Sequence, residues 1–380
     1  MLSTKLAPIA RKSCFSLSYR TYATAPAPTL HPSESGLRPP HLLTLADLTI
    51  PQIQTLISSA VAFKKHYKSK AIPEAGRIEG AKFEKGDEQT SEDVNRKSLD
   101  SKTVALIFSK RSTRTRVSSE TAIKALGGHP MFLGSGDIQL GVNETLYDSA
   151  RVISSMVDGI FARVGHHSEV ETLAAHSTVP VINALSHLYH PTQILADLQA
   201  LLEVRQPFTT DLSSLKGLTI SWVGDSNNIL NEMMVTYPRM GINLQIATPK
   251  GYDLDQEVLD RANAGIKAEG GTGKITHTHS PEEAVKNADV VTTDTWISMG
   301  QEDETARRKK DFAGYQVTNE LLARGGAKND CIFMHCLPRH EYEVNDEVFY
   351  GDKSIVFQEA ENRKWTALAV FDAFVGKWKV

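Results

Sequence analysis

Seven apolar runs rich in β-branched residues punctuate this chain, and helix-patterned segments separate them. The runs are "TVALIF" (103–108), "GIFARV" (159–164), "VPVINA" (179–184), "LTISWVG" (218–224), "INLQIAT" (242–248), "DVVTTDTW" (289–296) and "CIFMHC" (331–336). Between them lie amphipathic stretches such as "TLYDSARVISSMV" and "QEVLDRANAGIKAE". A helix start is written out at 280–283, where Ser280 is placed to cap, Pro281 takes the first helical position and Glu283 follows three residues on. Alternation of this kind dictates right-handed crossovers, and hence parallel sheets with helices on both faces. A chain of 380 residues, 41% of them hydrophobic, can fill two cores. The expected fold is therefore α/β, with two domains, each a mainly parallel sheet flanked by helices, and an active site in the cleft between them.

The divisions follow from the same pattern. A first domain is expected over 40–187, interrupted by a polar insertion at about 74–102 that has few large apolar residues. A bridging helix is expected over 188–206, containing "PTQILADLQALLEVRQ", and a second domain over 207–355. Residues 356–380 form a last helix that packs back on the first domain.

The N-terminus obeys a different rule. Residues 1–33 carry Lys5, Arg11, Lys12 and Arg20, many small and hydroxyl residues, and no acid before Glu34. No long apolar core follows the first charges, so the segment reads as a mitochondrial presequence rather than a secretory signal, with cleavage after Tyr22 and a matrix destination. A disordered basic tail is the plainer alternative. The net charge of −3 argues against nucleic acid as a partner, and no apolar run is long enough to span a membrane. Cys331 and Cys336, five apart on one expected strand, face opposite ways and suit a reducing compartment.

Polar clusters recur where the strands end. "SKRSTRTR" follows 103–108, "RVGHH" follows 159–164, and "HPTQ" comes soon after 179–184. In the second half, "GDSNN", "TWISMG" and "CLPR" hold the corresponding places. Open parallel sheets bind ligands outside the carboxyl ends of their strands, so six such clusters point to one cleft between the domains.

Each cluster suggests its own chemistry. Ser112 capping a helix from Thr113 would aim free N–H groups at the strand end. With the hydroxyls of Ser112, Thr113 and Thr115 and the guanidinium of Arg114, they would hold a phosphate; a solvated basic helix start is the alternative. The glycine-rich phosphate loop is absent, and "GDSNNI" lacks the dinucleotide glycines. Arg163 ends an apolar strand, where an unpaired guanidinium is costly. His190 either caps the helix that Pro191 opens or donates a hydrogen bond to a carbonyl oxygen, with Gln193 beyond it to hold an amide. Asn227 and Asn228 serve either as cap or as ligand. Asp294 and Ser298 suit an amino acid's ammonium and carboxylate, or else sit in a solvated loop. Cys336 is either a small buried residue or a polarisable thiol beside a substrate amine. His335 with Cys336 makes too few soft ligands to indicate a metal.

"STRTR", "HPTQ", "DTWISMG" and "HCLPR", in this order, resemble the transcarbamoylases, and the last two resemble the ornithine-using branch of that family. The likeness runs from about residue 40 to the C-terminus, interrupted at 74–102. It implies carbamoyl transfer from carbamoyl phosphate to the δ-amine of L-ornithine, no metal or organic cofactor, and a homotrimer. It implies carbamoyl phosphate held by Ser112, Thr113, Arg114, Thr115, Arg163, His190, Gln193, the Cys336–Leu337 backbone and Arg363, with Gln139 reaching in from a neighbouring subunit. It implies ornithine held by Asn228, Asp294, Ser298 and Met299, and catalytic work by Cys336, His190 and Arg114.

Overall fold

The computed structural model describes residues 39–71, 97–136, 144–207, 209–297 and 302–380. Two parallel sheets form the molecule. The first contains β1 (Thr103–Phe108), β2 (His129–Gly134), β3 (Gly159–Arg163) and β4 (Val181–Leu185), in the order β2-β1-β3-β4. The second contains β5 (Thr219–Val223), β6 (Asn243–Ala247), β7 (Ile275–Thr278), β8 (Val290–Thr293) and β9 (Ile332–His335), in the order β7-β6-β5-β8-β9. Strands β3, β8 and β9 are buried along their whole length, because helices cover both faces of each sheet. That burial explains why apolar residues stand next to one another in them and do not alternate, with the buried polar residues Arg163, Thr292, Thr293 and His335 gathered at the carboxyl ends.

Two strands escaped the apolar-run criterion, and both are sheet edges. β2, "HPMFLG", has Pro130 at its second position, which an edge strand tolerates because one side needs no ladder. β7, "ITHT", has four residues and a partly exposed face. The polar insertion also ends sooner than its composition suggests. Leu99 is fully buried and its N–H donates to Leu126 O at 3.0 Å, so the chain has rejoined the core before β1 begins. The rest of that insertion lies outside the described residues, as does the N-terminal presequence.

The two sheets are joined by helices that belong to both. In the Pro191–Arg205 helix every residue from Pro191 to Leu202 is buried, so no solvent face exists. The Val356–Phe371 helix lies against it and against the Ile50–Ala71 and Thr113–Ala125 helices of the first half. Phe371 meets Phe161 of β3 with ring centroids 5.3 Å apart. Burying a side chain of that size contributes about 1.5–3 kcal/mol. A single apolar core therefore runs from Leu106 and Phe161 through Leu198 and Leu368 to Trp222 and Leu244. Smaller cores close the outer faces: Ile107 with Ile160 on the first sheet, and Phe312 with Phe333 on the second.

This architecture decides where a ligand can sit. In the first sheet successive strands are added to opposite sides of the junction between the parallel neighbours β1 and β3, and in the second to opposite sides of that between β5 and β8. Helices leave such a pair on opposite faces, which opens a crevice at the carboxyl ends. Both crevices face each other.

Candidate active site

A cleft of about 680 Å³ occupies that junction. Its walls come from the segments after β1 and β3, from the β4–Pro191 connection, from the segments after β5, β8 and β9, and from Arg363 of the Val356–Phe371 helix.

One wall is built for an anion. Ser112 caps the Thr113–Ala125 helix, its side chain accepting from the Thr115 N–H. The earlier N–H groups of that turn have no intrahelical acceptor and look into the cleft. Arg114 reaches across and donates from Nη2 to Leu337 O at 2.5 Å. Arg163 is buried at the end of β3, and its Nε has no hydrogen-bond partner. Burial first, and then the charge of Arg114, push the Arg163 guanidinium down to about 10. Arg363 behaves alike, pushed down to about 10 by burial and by Arg114, and its Nε also has no partner. Asp197 offsets part of that repulsion at Arg363, and an anion shared by the three guanidiniums would offset the rest.

His190 is the N-cap of the Pro191–Arg205 helix, yet its side chain makes no capping hydrogen bond. The imidazole is left for the cleft. Nδ1 lies 3.4 Å from Thr192 Oγ1 and Nε2 lies 3.5 Å from Arg363 Nη1. Burial, reinforced by Arg363, Arg163 and Arg114, holds His190 well below the ordinary histidine range, so it is neutral. Arg363 also donates from Nη1 to Gln193 Oε1 at 2.5 Å and from Nη2 to Thr192 Oγ1 at 3.1 Å. A weaker contact at 3.5 Å reaches Thr115 Oγ1.

The opposite wall is built for a cation. The two asparagines divide their tasks: Asn227 caps the Asn228–Thr236 helix, while Asn228 donates to Ser186 O at 2.6 Å. Asn227 also donates to Asp294 Oδ2 at 2.9 Å, whereas among the described residues the buried Asp294 Oδ1 has no hydrogen-bond donor of ordinary strength. Burial raises the Asp294 carboxyl above its usual range. Beside it, the Cys336 thiol is raised well above its usual value by burial and then by the Asp294 charge, so it stays protonated.

Asp294, His335 and Cys336 each bring one ligand atom to within 4.8 Å of the others. Both His335 nitrogens are already engaged, however. Nδ1 accepts from Leu337 N at 2.9 Å and Nε2 lies 3.2 Å from Glu343 Oε2. The group is therefore a hydrogen-bond network, with no imidazole lone pair left for a metal. Leu337 sits in the left-handed region at φ 61°, and the bonds at its N–H and its carbonyl hold it there.

The cleft thus gathers Ser112, Thr113, Arg114, Thr115, Arg163, His190, Gln193, Asn228, Asp294, Cys336, Leu337 and Arg363. Gln139, Ser298 and Met299 lie outside the described residues. Sequence reasoning gave no part to Asp197, Arg308, Glu343 or Glu359. Arg308 is ion-paired to Asp225 at the end of β5 and donates to Trp296 O at 2.5 Å, anchoring the chain that leaves β8. Glu343, fully buried, accepts from Trp296 N and His340 N and so ties the β8 and β9 loops together. Asp197 could have been noticed, because Gln193 and Asp197 stand four apart, on one face of the same helix.

Comparison with known proteins adds an independent line. Residues 40–203 match the family model "Aspartate/ornithine carbamoyltransferase, carbamoyl-P binding domain", and residues 216–374 match its "Asp/Orn binding domain". The chain is 50% identical over 362 residues to a mitochondrial ornithine carbamoyltransferase of Aspergillus niger, covering 94% of this chain and 92% of that one. Its fold matches the crystal structure of a mitochondrial ornithine carbamoyltransferase from Coccidioides immitis with a TM-score of 0.77 and 46% identity, over 90% of this chain and 98% of that one. The ornithine carbamoyltransferase from Pyrococcus furiosus matches with a TM-score of 0.76 and 39% identity, over 90% and 98% respectively.

Proposed function

The chain belongs to the aspartate/ornithine carbamoyltransferase family, and on that premise we propose that it transfers the carbamoyl group of carbamoyl phosphate to the δ-amine of L-ornithine, giving L-citrulline and phosphate. One observation carries the reading. A single cleft opposes two buried guanidiniums, Arg163 and Arg363, and the half-buried Arg114 to a buried carboxylate whose Oδ1 lacks an ordinary donor among the described residues, with a protonated thiol beside it. The first wall takes a phosphate; the second takes an ammonium.

The phosphate rests on the first turn of the Thr113–Ala125 helix, on the hydroxyls of Ser112, Thr113 and Thr115, and on Arg114 and Arg163. The guanidinium fork pairs with two phosphate oxygens, which a lysine does not do. The carbamoyl group extends toward His190, Gln193, Arg363 and the Cys336–Leu337 backbone. Ornithine lies against Asn228 and Asp294, with Ser298 and Met299 completing its contacts and Gln139 coming from a neighbouring subunit of a homotrimer.

The neutral δ-amine attacks the carbamoyl carbon. A nitrogen–carbon bond forms, the carbonyl oxygen gains negative charge, and the carbon–oxygen bond to phosphate then breaks. The amine proton leaves with phosphate or to solvent. His190, neutral and carrying one N–H, together with Arg114 and Arg363, stabilises the oxyanion, and stabilisation of developing charge is usually the largest catalytic contribution. No step requires a metal or organic cofactor. Relatives at about this identity are named as mitochondrial, and with the basic, acid-poor residues 1–33 this supports import into the matrix.

Purified protein given carbamoyl phosphate and ornithine should release citrulline and phosphate in equal amounts. Replacing ornithine with aspartate should abolish phosphate release. Carbamoyl aspartate in place of citrulline would assign the chain to the other branch, and neither product would overturn the reading.

A further inference from the structure

Behind Gln193 lies a pair of carboxyl groups that the transfer chemistry does not use. Asp197 is one turn further along the same helix, and Glu359 comes from the Val356–Phe371 helix. Both are 2% exposed, as is Gln193. The side-chain amide of Gln193 donates one hydrogen to Asp197 Oδ1 at 2.9 Å and the other to Glu359 Oε1 at 2.7 Å. With both hydrogens committed, Gln193 presents only its carbonyl oxygen to the cleft, next to Arg363 Nη1 at 2.5 Å.

We propose that Asp197 and Glu359 are positioning residues: by accepting both amide hydrogens they turn the Gln193 oxygen toward the substrate and select an N–H donor at that end of it. The inference rests on the carbamoyl transfer reading, in which that donor is the carbamoyl nitrogen. Arg363 Nη1 occupies one lone pair of that oxygen; an acyl phosphate with a methyl group at the same place has no hydrogen to give the second, which is how a polar site rejects an isostere.

The two acids are not interchangeable. Glu359 Oε2 accepts the His335 backbone N–H at 3.1 Å, so both of its oxygens serve N–H donors. Asp197 accepts from Gln193 at Oδ1, while its Oδ2 has only the Tyr237 hydroxyl at 3.5 Å and the neighbouring Glu359. Burial raises both carboxyls, the Asp197 charge raises Glu359 further, and a hydrogen bond from Glu359 holds Asp197 down, so at neutral pH the pair retains a proton between them. The other ionisable groups facing the pair are Arg363 on the last helix, Tyr237, and Asp294 and Cys336 at the ends of β8 and β9. An asparagine at 197 supplies in its NH₂ what the shared proton supplies, with its oxygen still accepting from Gln193. A glutamine at 359 has one acceptor where two are needed.

The test compares Glu359→Gln with Asp197→Asn in the full-length enzyme, using acetyl phosphate as competitor. The quantity read is the inhibition constant of acetyl phosphate divided by the KM for carbamoyl phosphate. It should fall about tenfold in Glu359→Gln, the order expected when one buried hydrogen bond is misdirected, and stay within about twofold in Asp197→Asn. An unchanged ratio in Glu359→Gln, or equal falls in both variants, would overturn the proposal. If Glu359→Gln does not fold, carbamoyl phosphate affinity without ornithine decides the matter. It should weaken in the parent between pH 7 and about 9, as the shared proton is lost, and stay flat in Asp197→Asn. A parallel decline in both would overturn it. Failure of the parent enzyme to form citrulline would instead sink the reading beneath it, so the two failures are separable.

Discussion

Arg114 and Leu337 meet across the cleft, with Nη2 of the arginine 2.5 Å from the carbonyl oxygen of the leucine. One residue follows the first strand of the first sheet and the other follows the last strand of the second. The guanidinium therefore closes the site while keeping further N–H groups for an anion. Arg114→Lys retains the charge but loses the fork. Carbamoyl phosphate affinity should drop by about 1.5–3 kcal/mol, the range for a hydrogen bond to a charged group. Calorimetric titration measures the loss, and an unchanged thermal midpoint shows that the fold is intact. Unaltered affinity would remove Arg114 from the phosphate site.

Asp294→Asn tests the other wall. The substitution keeps the shape that Asn227 bonds to and removes the charge that faces the cleft. Ornithine affinity in the presence of a carbamoyl phosphate analogue should fall by about 1.5–3 kcal/mol, with the analogue's own affinity nearly constant. Equal losses for both ligands would make Asp294 a support of the cleft wall and not an ornithine ligand.

The pH profile follows from the state of His190. Burial and three arginines hold its imidazole neutral, so it does not titrate between pH 6 and 8. Ornithine's δ-amine, with a pKa near the lysine value of about 10.4, gains its reactive form throughout that window. At subsaturating ornithine the rate should rise roughly tenfold per pH unit from pH 6 toward 8. A plateau beginning near pH 6.5 would mean that an ordinary histidine, and not the amine, sets the rate.

Stability carries its own pH signature. Glu232 is fully buried, and its Oε1 accepts from Thr44 Oγ1 at 2.8 Å and Leu45 N at 2.7 Å, while Oε2 has no partner. Burial pushes its carboxyl up to about 7 from 4.5. Between those values the folded chain binds more protons than the unfolded one, so stability falls as pH rises and is lowest above the folded-state pKa. Glu232→Gln keeps the accepting oxygen and removes the charge. It should stabilise the protein at pH 8 by about 1–3 kcal/mol and change little at pH 4.5. Denaturant titrations at the two pH values measure this, and equal effects at both would contradict the assignment.

The parts of this molecule that sequence made readable are those where one physical demand dominates. Strands covered on both faces must be apolar throughout, so β1, β3, β5 and β8 stand out. Of the four edge strands, β4 and β9 are buried and legible, whereas β2 with Pro130 and β7 with Thr276 and His277 exposed are partly exposed and carry no long apolar run. In the site, anion-binding residues cluster in sequence because a single helix turn supplies most of them. Glu359 and Arg308 act through partners far along the chain, 166 residues away for the Glu359–Gln193 bond and 83 for the Arg308–Asp225 pair. Nothing local marks a glutamate in an amphipathic helix as an acceptor for a strand-end N–H. The two asparagines show the same limit: helix cap and ligand were both open to them, and only the fold assigned the cap to Asn227 while placing both residues on the cleft.

The proposed transfer requires one cleft to hold a phosphate wall and an ammonium wall at the separation set by the reaction. A compound that joins a phosphonate to the δ-nitrogen of ornithine through an acetyl carbonyl tests it most directly, by calorimetric titration into the parent enzyme, Arg114→Lys and Asp294→Asn. The parent should bind it at least about a hundredfold more tightly than phosphonoacetate or ornithine alone, because the second contact becomes intramolecular. Each substitution should weaken it. Binding no tighter than phosphonoacetate, or sensitivity to only one of the two substitutions, would contradict a shared cleft.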